Sequence, residues 1–153
     1  MSFSWFELKI PPPIVVLSMG CLHWMAVWIS PNWAQPMPLW LSLGAVIFAL
    51  FFGFMGVFGC LQEKTTIHPW NPEETECLVT TGVFSISRNP MYLALILLLF
   101  AWVTQPLHPL SLLALWGSVG YLFQFQIRPE ERILAAKFPQ QFAEYAGRVP
   151  RWI

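Results

Sequence analysis

Two long stretches of this chain contain no Asp, Glu, Lys or Arg: residues 10–62 and residues 89–127. The eight acidic and eight basic side chains are confined to three short clusters, before, between and after these stretches. A water-soluble fold of this size needs charge along the wet faces of its helices. A lipid bilayer removes that need, and it admits only helices or closed barrels, because every backbone N–H and C=O must be bonded internally. The sequence therefore predicts an integral membrane protein whose polar chemistry is restricted to the three clusters. Apolar residues make up 56% and charged ones 10% of the chain, against about a quarter charged in ordinary domains.

Four apolar segments stand out, Pro12–Ser30, Leu39–Cys60, Pro90–Gln105 and Pro109–Ile127. As helices they would measure roughly 24 to 33 Å, close to the thickness of a hydrocarbon core. Proline-rich turns separate the first pair and the second pair. The expectation is an all-α, integral-membrane fold of four transmembrane helices with a cytoplasmic loop and a helical C-terminal tail, in one domain, 1–153. Residues 1–62 supply two N-terminal spans, and 63–153 a core with a helical hairpin and tail.

The basic residues Lys9, Lys64, Arg88, Arg128, Arg132, Lys137, Arg148 and Arg151 all fall outside the two proline-rich turns. By the positive-inside rule both termini and the central loop face the cytoplasm, as for a multi-pass protein of a bacterial inner membrane. Trp33, Trp40 and Trp102 are expected near one interface, and Trp5, Trp70 and Trp152 near the other. The N-terminus lacks the basic region of a secretory signal, so the first apolar run reads as a retained span. Zero net charge and the absence of a basic patch argue against nucleic acid. Cys21, Cys60 and Cys77 show no metal-ligand spacing and read as small apolar filler.

Asn89-Pro90 is a strong helix start, with Asn expected to cap free N–H groups and Pro at the first helical position. A hairpin of the third and fourth spans would return Arg128-Pro129-Glu130-Glu131-Arg132 to the membrane face that carries Arg88 and Tyr92. Two polar motifs distant in sequence would then form one site. Phe138, Phe142 and Tyr145 are spaced as an interfacial amphipathic face. His23, inside the first span, would hydrogen-bond a neighbouring helix, or act as a functional group by virtue of its position. His68 is a candidate base or acceptor contact, and Gly44, Gly53, Gly56 and Gly59 are candidates for close helix packing.

The motif Leu78-Val79-x-x-Gly82-x-Phe84-x-x-Ser87-Arg88-Asn89-Pro90-x-Tyr92, an apolar hairpin, Pro129-Glu130-Glu131-Arg132 and a tail of Phe138-Pro139-x-x-Phe142-x-x-Tyr145-x-x-Arg148-Val149-Pro150 resemble the isoprenylcysteine carboxyl methyltransferase and phospholipid methyltransferase group. Thr65-Thr66-Ile67-His68-Pro69 resembles an element of its bacterial members. The resemblance implies S-adenosylmethionine as cofactor, held by Val79, Thr80, Gly82, Arg88, Asn89, Pro90, Tyr92, Glu130 and Glu131. It also implies catalytic roles for Arg128, Glu130 and Arg88, and methyl transfer to a lipophilic or small apolar acceptor through oxygen, nitrogen or sulfur. Where relatives acting on prenylated proteins show Arg-His-Pro and a longer acidic run, this chain has Arg88-Asn89-Pro90 and Glu130-Glu131. Two other classes fit parts of the pattern. One is an NADPH-dependent membrane reductase, through Arg-x-Pro-x-Tyr. The other is a non-enzymatic four-span transporter or assembly protein.

Overall fold

Proline sets the start of nearly every helix. In the computed structural model, which describes residues 7–63, 75 and 77–153, α1 (Pro12–Ile29), α3 (Pro90–Val103) and α4 (Pro109–Leu122) each begin on a proline, and α2 (Leu39–Gln62) follows Pro38. A proline at the first position has its φ already helical and gives up only an N–H that would lack a partner anyway. Two short helices complete the described residues, α5 (Arg128–Lys137) and α6 (Pro139–Arg148). The fold is helical throughout; between the helices, isolated bridges join Leu107 to Gln35 and to Thr104.

Packing is arranged around α3. It lies against α2 along its length and also meets α1 and α4, while α1 packs against α4. Pro90 sits beside Gly56, and at the other end the Thr104 and Ser42 hydroxyls pair at 3.0 Å. Equal stretches of α2 and α3 therefore run antiparallel in register. The two proline-rich turns are joined to each other, with Gln35 and Leu107 exchanging backbone hydrogen bonds of 2.8 and 2.9 Å.

Three helices are long and apolar enough to cross a membrane: α1, α2 and the continuous helix Pro109–Lys137. The fourth expected span is the exception. At 14 residues, α3 is a shorter apolar helix, about 21 Å long. Its surroundings explain how a short helix suffices. Tyr92, Leu93, Ala94, Leu99, Ala101 and Val103 are all buried against neighbouring helices, so protein rather than lipid covers most of its surface.

The end of the fourth apolar run also differs from expectation. The helix does not stop before Pro129; it passes through a π-helical turn at Phe123–Ile127 and continues as α5. A proline inside a helix lacks the N–H that would reach the carbonyl four residues back, and its ring crowds that carbonyl. The wider turn accommodates Pro129, and the freed Phe125 carbonyl accepts from the Leu8 N–H at 2.9 Å. Next to it the buried Gln126 amide donates to the Ile10 carbonyl at 2.7 Å. The segment before α1 is thereby bonded to the break in the last long helix.

Among the tryptophans, Trp33 and Trp40 are exposed as interface anchors would be. Trp102 is instead laid over α1, where a Cβ at Gly20 would come within 2.6 Å of its ring. Trp152 packs on the core cluster of Tyr92, Leu122 and Ile127. Of the expected close-packing glycines, Gly56, Gly59 and Gly53 do face side chains, whereas a Cβ at Gly44 would meet nothing within 4 Å. Trp5, Trp70 and His68 lie outside the described residues.

His23 bonds across to α4, Nδ1 to Ser111 Oγ at 2.6 Å. His108 caps that helix by accepting from the Leu110 N–H at 3.2 Å.

Replacing Gly20 by Leu should force Trp102 off α1 and lower stability by about 1–3 kcal/mol. Gly44→Leu, facing open space, should leave it within about 0.5 kcal/mol. Thermal unfolding of both variants in detergent measures the difference.

Candidate active site

The segment leading into α3 is folded before the helix begins. Gly82 has φ of +59°, a left-handed conformation open to glycine at no steric cost. It turns the chain into a single 3₁₀ turn, Gly82–Ser85. Val79, Val83 and Phe84 thereby enter one apolar cluster with Cys60 of α2 and Tyr145 of α6. The Tyr145 hydroxyl donates to the Phe84 carbonyl at 2.7 Å. Burial pushes that phenol well above its ordinary pKa, with the Arg88 guanidinium opposing, so the group stays a donor.

Arg88, Asn89 and Tyr92 follow within one helical turn. Asn89 occupies the cap position, but its side chain does not cap α3. Its amide donates instead to the Arg151 carbonyl at 3.0 Å, Ser87 Oγ donates to the same carbonyl at 3.2 Å, and the Arg88 N–H donates to the Pro150 carbonyl at 3.0 Å. Three successive residues thus hold the segment after α6 against the start of α3.

The hairpin brings α5 to the same place. Tyr92 donates to Glu130 Oε2 at 2.9 Å, and Arg88 Nη1 lies 3.0 Å from Glu131 Oε1. Glu131 is also gripped by Arg151, whose Nε and Nη2 both reach Oε2 at 2.9 Å. One carboxylate therefore serves two guanidinium groups, and it raises the Arg151 pKa above its ordinary value, burial opposing. The Arg88 and Glu131 side chains retain only 11% and 14% exposure, which strengthens the pair relative to a solvated one. Glu130, by contrast, has no cationic partner among the described residues.

These groups line one end of a cavity of about 530 Å³. From Arg88, Asn89, Tyr92, Glu130 and Glu131 it continues between α2 and α3 as an apolar furrow, past Gly53 and Ala94 to Leu50 and Leu98, with Pro12 and Pro13 of α1 along one side. Leu98 lies two turns beyond Tyr92, about 9 Å deeper along the helix. The cavity can hold an amphipathic guest, or a polar guest and an apolar one side by side.

The polar end suits a zwitterion. Arg88 Nε is buried and has no hydrogen-bond partner among the described residues; a buried donor in that state costs about 1–3 kcal/mol and favours an incoming anion. Glu130, free of any arginine, offers the opposite charge nearby. Both features are what the methionine part of S-adenosylmethionine would require. Among the described residues no group of three His, Cys, Asp or Glu side chains could hold a metal ion.

Not every expected site residue reaches the cavity. Val79, Arg88, Asn89, Tyr92, Glu130 and Glu131 line it; Thr80, Gly82 and Pro90 do not. Gly82 acts through its backbone conformation, and Pro90 through the helix start. Arg128 does not line the cavity: its Nη1 donates to Gln124 Oε1 at 3.0 Å and its guanidinium lies 5.7 Å from the Phe123 ring centre, beside Glu131 in a neighbouring cleft. The cavity also includes residues that sequence reasoning assigned elsewhere. Phe142 and Tyr145, taken for an interfacial face, line it, as do Cys60 and Cys77, taken for filler. Arg151 carried no signal beyond its charge.

The chain is similar to proteins already known. The phospholipid methyltransferase family matches residues 37–141. The cobalt-zinc-cadmium resistance protein CzcN of Cupriavidus metallidurans is 32% identical over 136 residues, which are 88% of this chain and 55% of that protein. Protein-S-isoprenylcysteine O-methyltransferase B of Arabidopsis thaliana is 36% identical over 51% of this chain and 40% of its own length. Protein-S-isoprenylcysteine O-methyltransferase of Saccharomyces cerevisiae is 35% identical over 50% and 32%. The matches thus span between a third and just over half of these three relatives. No solved structure matches the chain. With the family match extending from the start of α2 through α5 into α6, the chain belongs to the phospholipid methyltransferase family of membrane proteins.

Proposed function

We propose that this protein is a methyltransferase that uses S-adenosylmethionine at the cytoplasmic end of a bacterial inner-membrane bundle and methylates a lipophilic or small apolar acceptor. The observation that carries the reading is a single cavity in which an unpaired buried Arg88 Nε and an uncompensated Glu130 carboxylate open onto an apolar furrow. In this reading α3 completes a fourth pass, and both described ends of the chain lie on the cytoplasmic side with the basic residues.

Arg88 would take the carboxylate of the methionine part and Glu130 its ammonium. Glu131, held between Arg88 and Arg151, would fix the direction of Arg88 rather than touch the cofactor. Val79 and the residues just before it, Cys77 and Leu78, would border the adenosine, with Asn89 and the start of α3 beneath. When bound, the sulfonium supplies an electrophilic methyl group. The protein's own task is then to align an acceptor and keep water out. The furrow would take the apolar part of the acceptor. A carboxylate acceptor needs no base, whereas an amine or thiol must lose a proton.

Titration calorimetry on the detergent-purified protein should show saturable S-adenosylmethionine binding that NADPH does not displace. Arg88→Ala and Glu130→Gln should each weaken it at least about tenfold, a loss of about 1.4 kcal/mol. Absence of saturable binding, or unchanged affinity in both variants, would overturn the proposal.

Glu131→Ala should behave differently, because it leaves two guanidinium groups facing each other. A loss of about 1–3 kcal/mol in thermal stability is expected, discounted for the partly exposed Arg151. Glu130→Gln, which keeps an acceptor for the Tyr92 hydroxyl, should leave the unfolding temperature nearly unaltered.

Incubation of membranes with isotopically labelled methyl donor should place the label in the organic-soluble fraction, as read by mass spectrometry. Label found only in water-soluble products would exclude a lipophilic acceptor.

A further inference from the structure

Outside the cavity the charged end carries a second cleft, of about 250 Å³, walled by Arg128, Glu131, Arg132, Ala135 and Arg151. Three cations meet one carboxylate there, and Glu131 is already shared with Arg88. Arg132 is paired with Glu7, but its side chain remains 66% exposed. Arg128 donates to a neutral partner, Gln124, and has no carboxylate partner among the described residues. Beneath them the Phe123 ring has two guanidinium groups over it, Arg128 at 5.7 Å and Arg151 at 5.4 Å. Like charges crowded on one ring repel, and an anion placed between them would remove that repulsion.

The cleft also lies at a particular depth. Arg128 directly follows the fully buried Ile127 at the end of the uncharged run, and Arg132 is one turn further along the same helix. That is the level of lipid headgroups. Leading up to it on α4 is an exposed row, Leu113, Trp116 and Gly120 before Gln124, and added Cβ atoms at Gly117 and Gly120 would meet nothing. Gly117 and Gly120 leave that stretch of the helix surface open, and the exposed row runs up to Arg128.

We infer that this cleft is a binding site for the phosphate of an anionic phospholipid, separate from the methyl-transfer cavity, with Arg128 and Arg132 as its principal donors and one acyl chain lying along the outer face of α4. The inference does not rest on the proposed methyltransferase activity. A phosphodiester accepts hydrogen bonds from two guanidinium groups at once. The exposed apolar residues Leu113 and Trp116 give a membrane lipid a contact that free phosphate lacks.

Native mass spectrometry of the detergent-purified chain tests it, with phosphatidylglycerol and phosphatidylcholine of identical acyl chains as probes. The intact protein should retain phosphatidylglycerol at least about tenfold more tightly. Arg128→Gln, which breaks no ion pair, and Arg128→Gln with Arg132→Gln should progressively abolish that preference. Lys137→Gln with Arg148→Gln, matched in charge, should preserve it. Equal retention of the two lipids, equal loss in the matched control, or full displacement of phosphatidylglycerol by millimolar inorganic phosphate would overturn the inference. S-adenosylmethionine binding measured on the same Arg128→Gln protein should be unchanged, so the outcome is independent of the cavity's function.

Discussion

Glu131 has two guanidinium partners that come from opposite directions, Arg88 at the start of α3 and Arg151 beyond α6. In water such an arrangement would contribute little. At the edge of a lipid phase, with Arg88 and Glu131 mostly covered, the loss of the central carboxylate would leave two positive charges with nothing between them. The segment before α3, the helix after α4 and the chain after α6 all meet at this point, and the cavity is the space they enclose. The hydrogen bonds from the Ser87 and Asn89 side chains and the Arg88 N–H to the carbonyls of residues 150 and 151 act in parallel, so the ion pairs and these bonds fix the same geometry twice.

A second constraint comes from Pro129. In an ordinary soluble helix, a proline there would mark the end of the helix or a kink. Here the wider turn before it lets the helix continue, and that continuation fixes which way each of residues 128–132 faces. Glu130 and Glu131 line the cavity, and Glu131 shares the neighbouring cleft with Arg128 and Arg132. The carbonyl that proline leaves free is used by Leu8, so the disruption becomes an attachment point for the segment ahead of α1.

Much of this was legible in the sequence because lipid is a strict solvent. Charge-free stretches, proline-marked turns and the arithmetic of a hairpin predict that Arg88 and Tyr92 meet Glu130 and Glu131, and they do. The details that escaped are ones for which a residue type has two equally good uses. Asn before Pro reads as a cap, yet Asn89 spends its amide on a carbonyl of the tail. Phe142 and Tyr145 at helical spacing read as a face toward lipid, and the same spacing serves a cavity wall. Arg128 beside two glutamates in sequence reads as their companion, although the helix rotates each residue about 100° from the last. The third apolar run, the shortest of the four, reads as a span from Pro90 to Gln105, and the helix ends two residues earlier, at Val103.

The position of α3 has a consequence for how the site responds to its surroundings. A helix that meets lipid on most of its surface adjusts its tilt when the bilayer thickens or thins. With α1, α2 and α4 around it, α3 exchanges little surface with lipid, and its register is fixed by Pro90 against Gly56 and by Thr104 against Ser42. Changes in membrane thickness should therefore be absorbed by the outer helices. The level at which Tyr92 meets Glu130 is set by side-chain interlocking, insulated from hydrophobic mismatch.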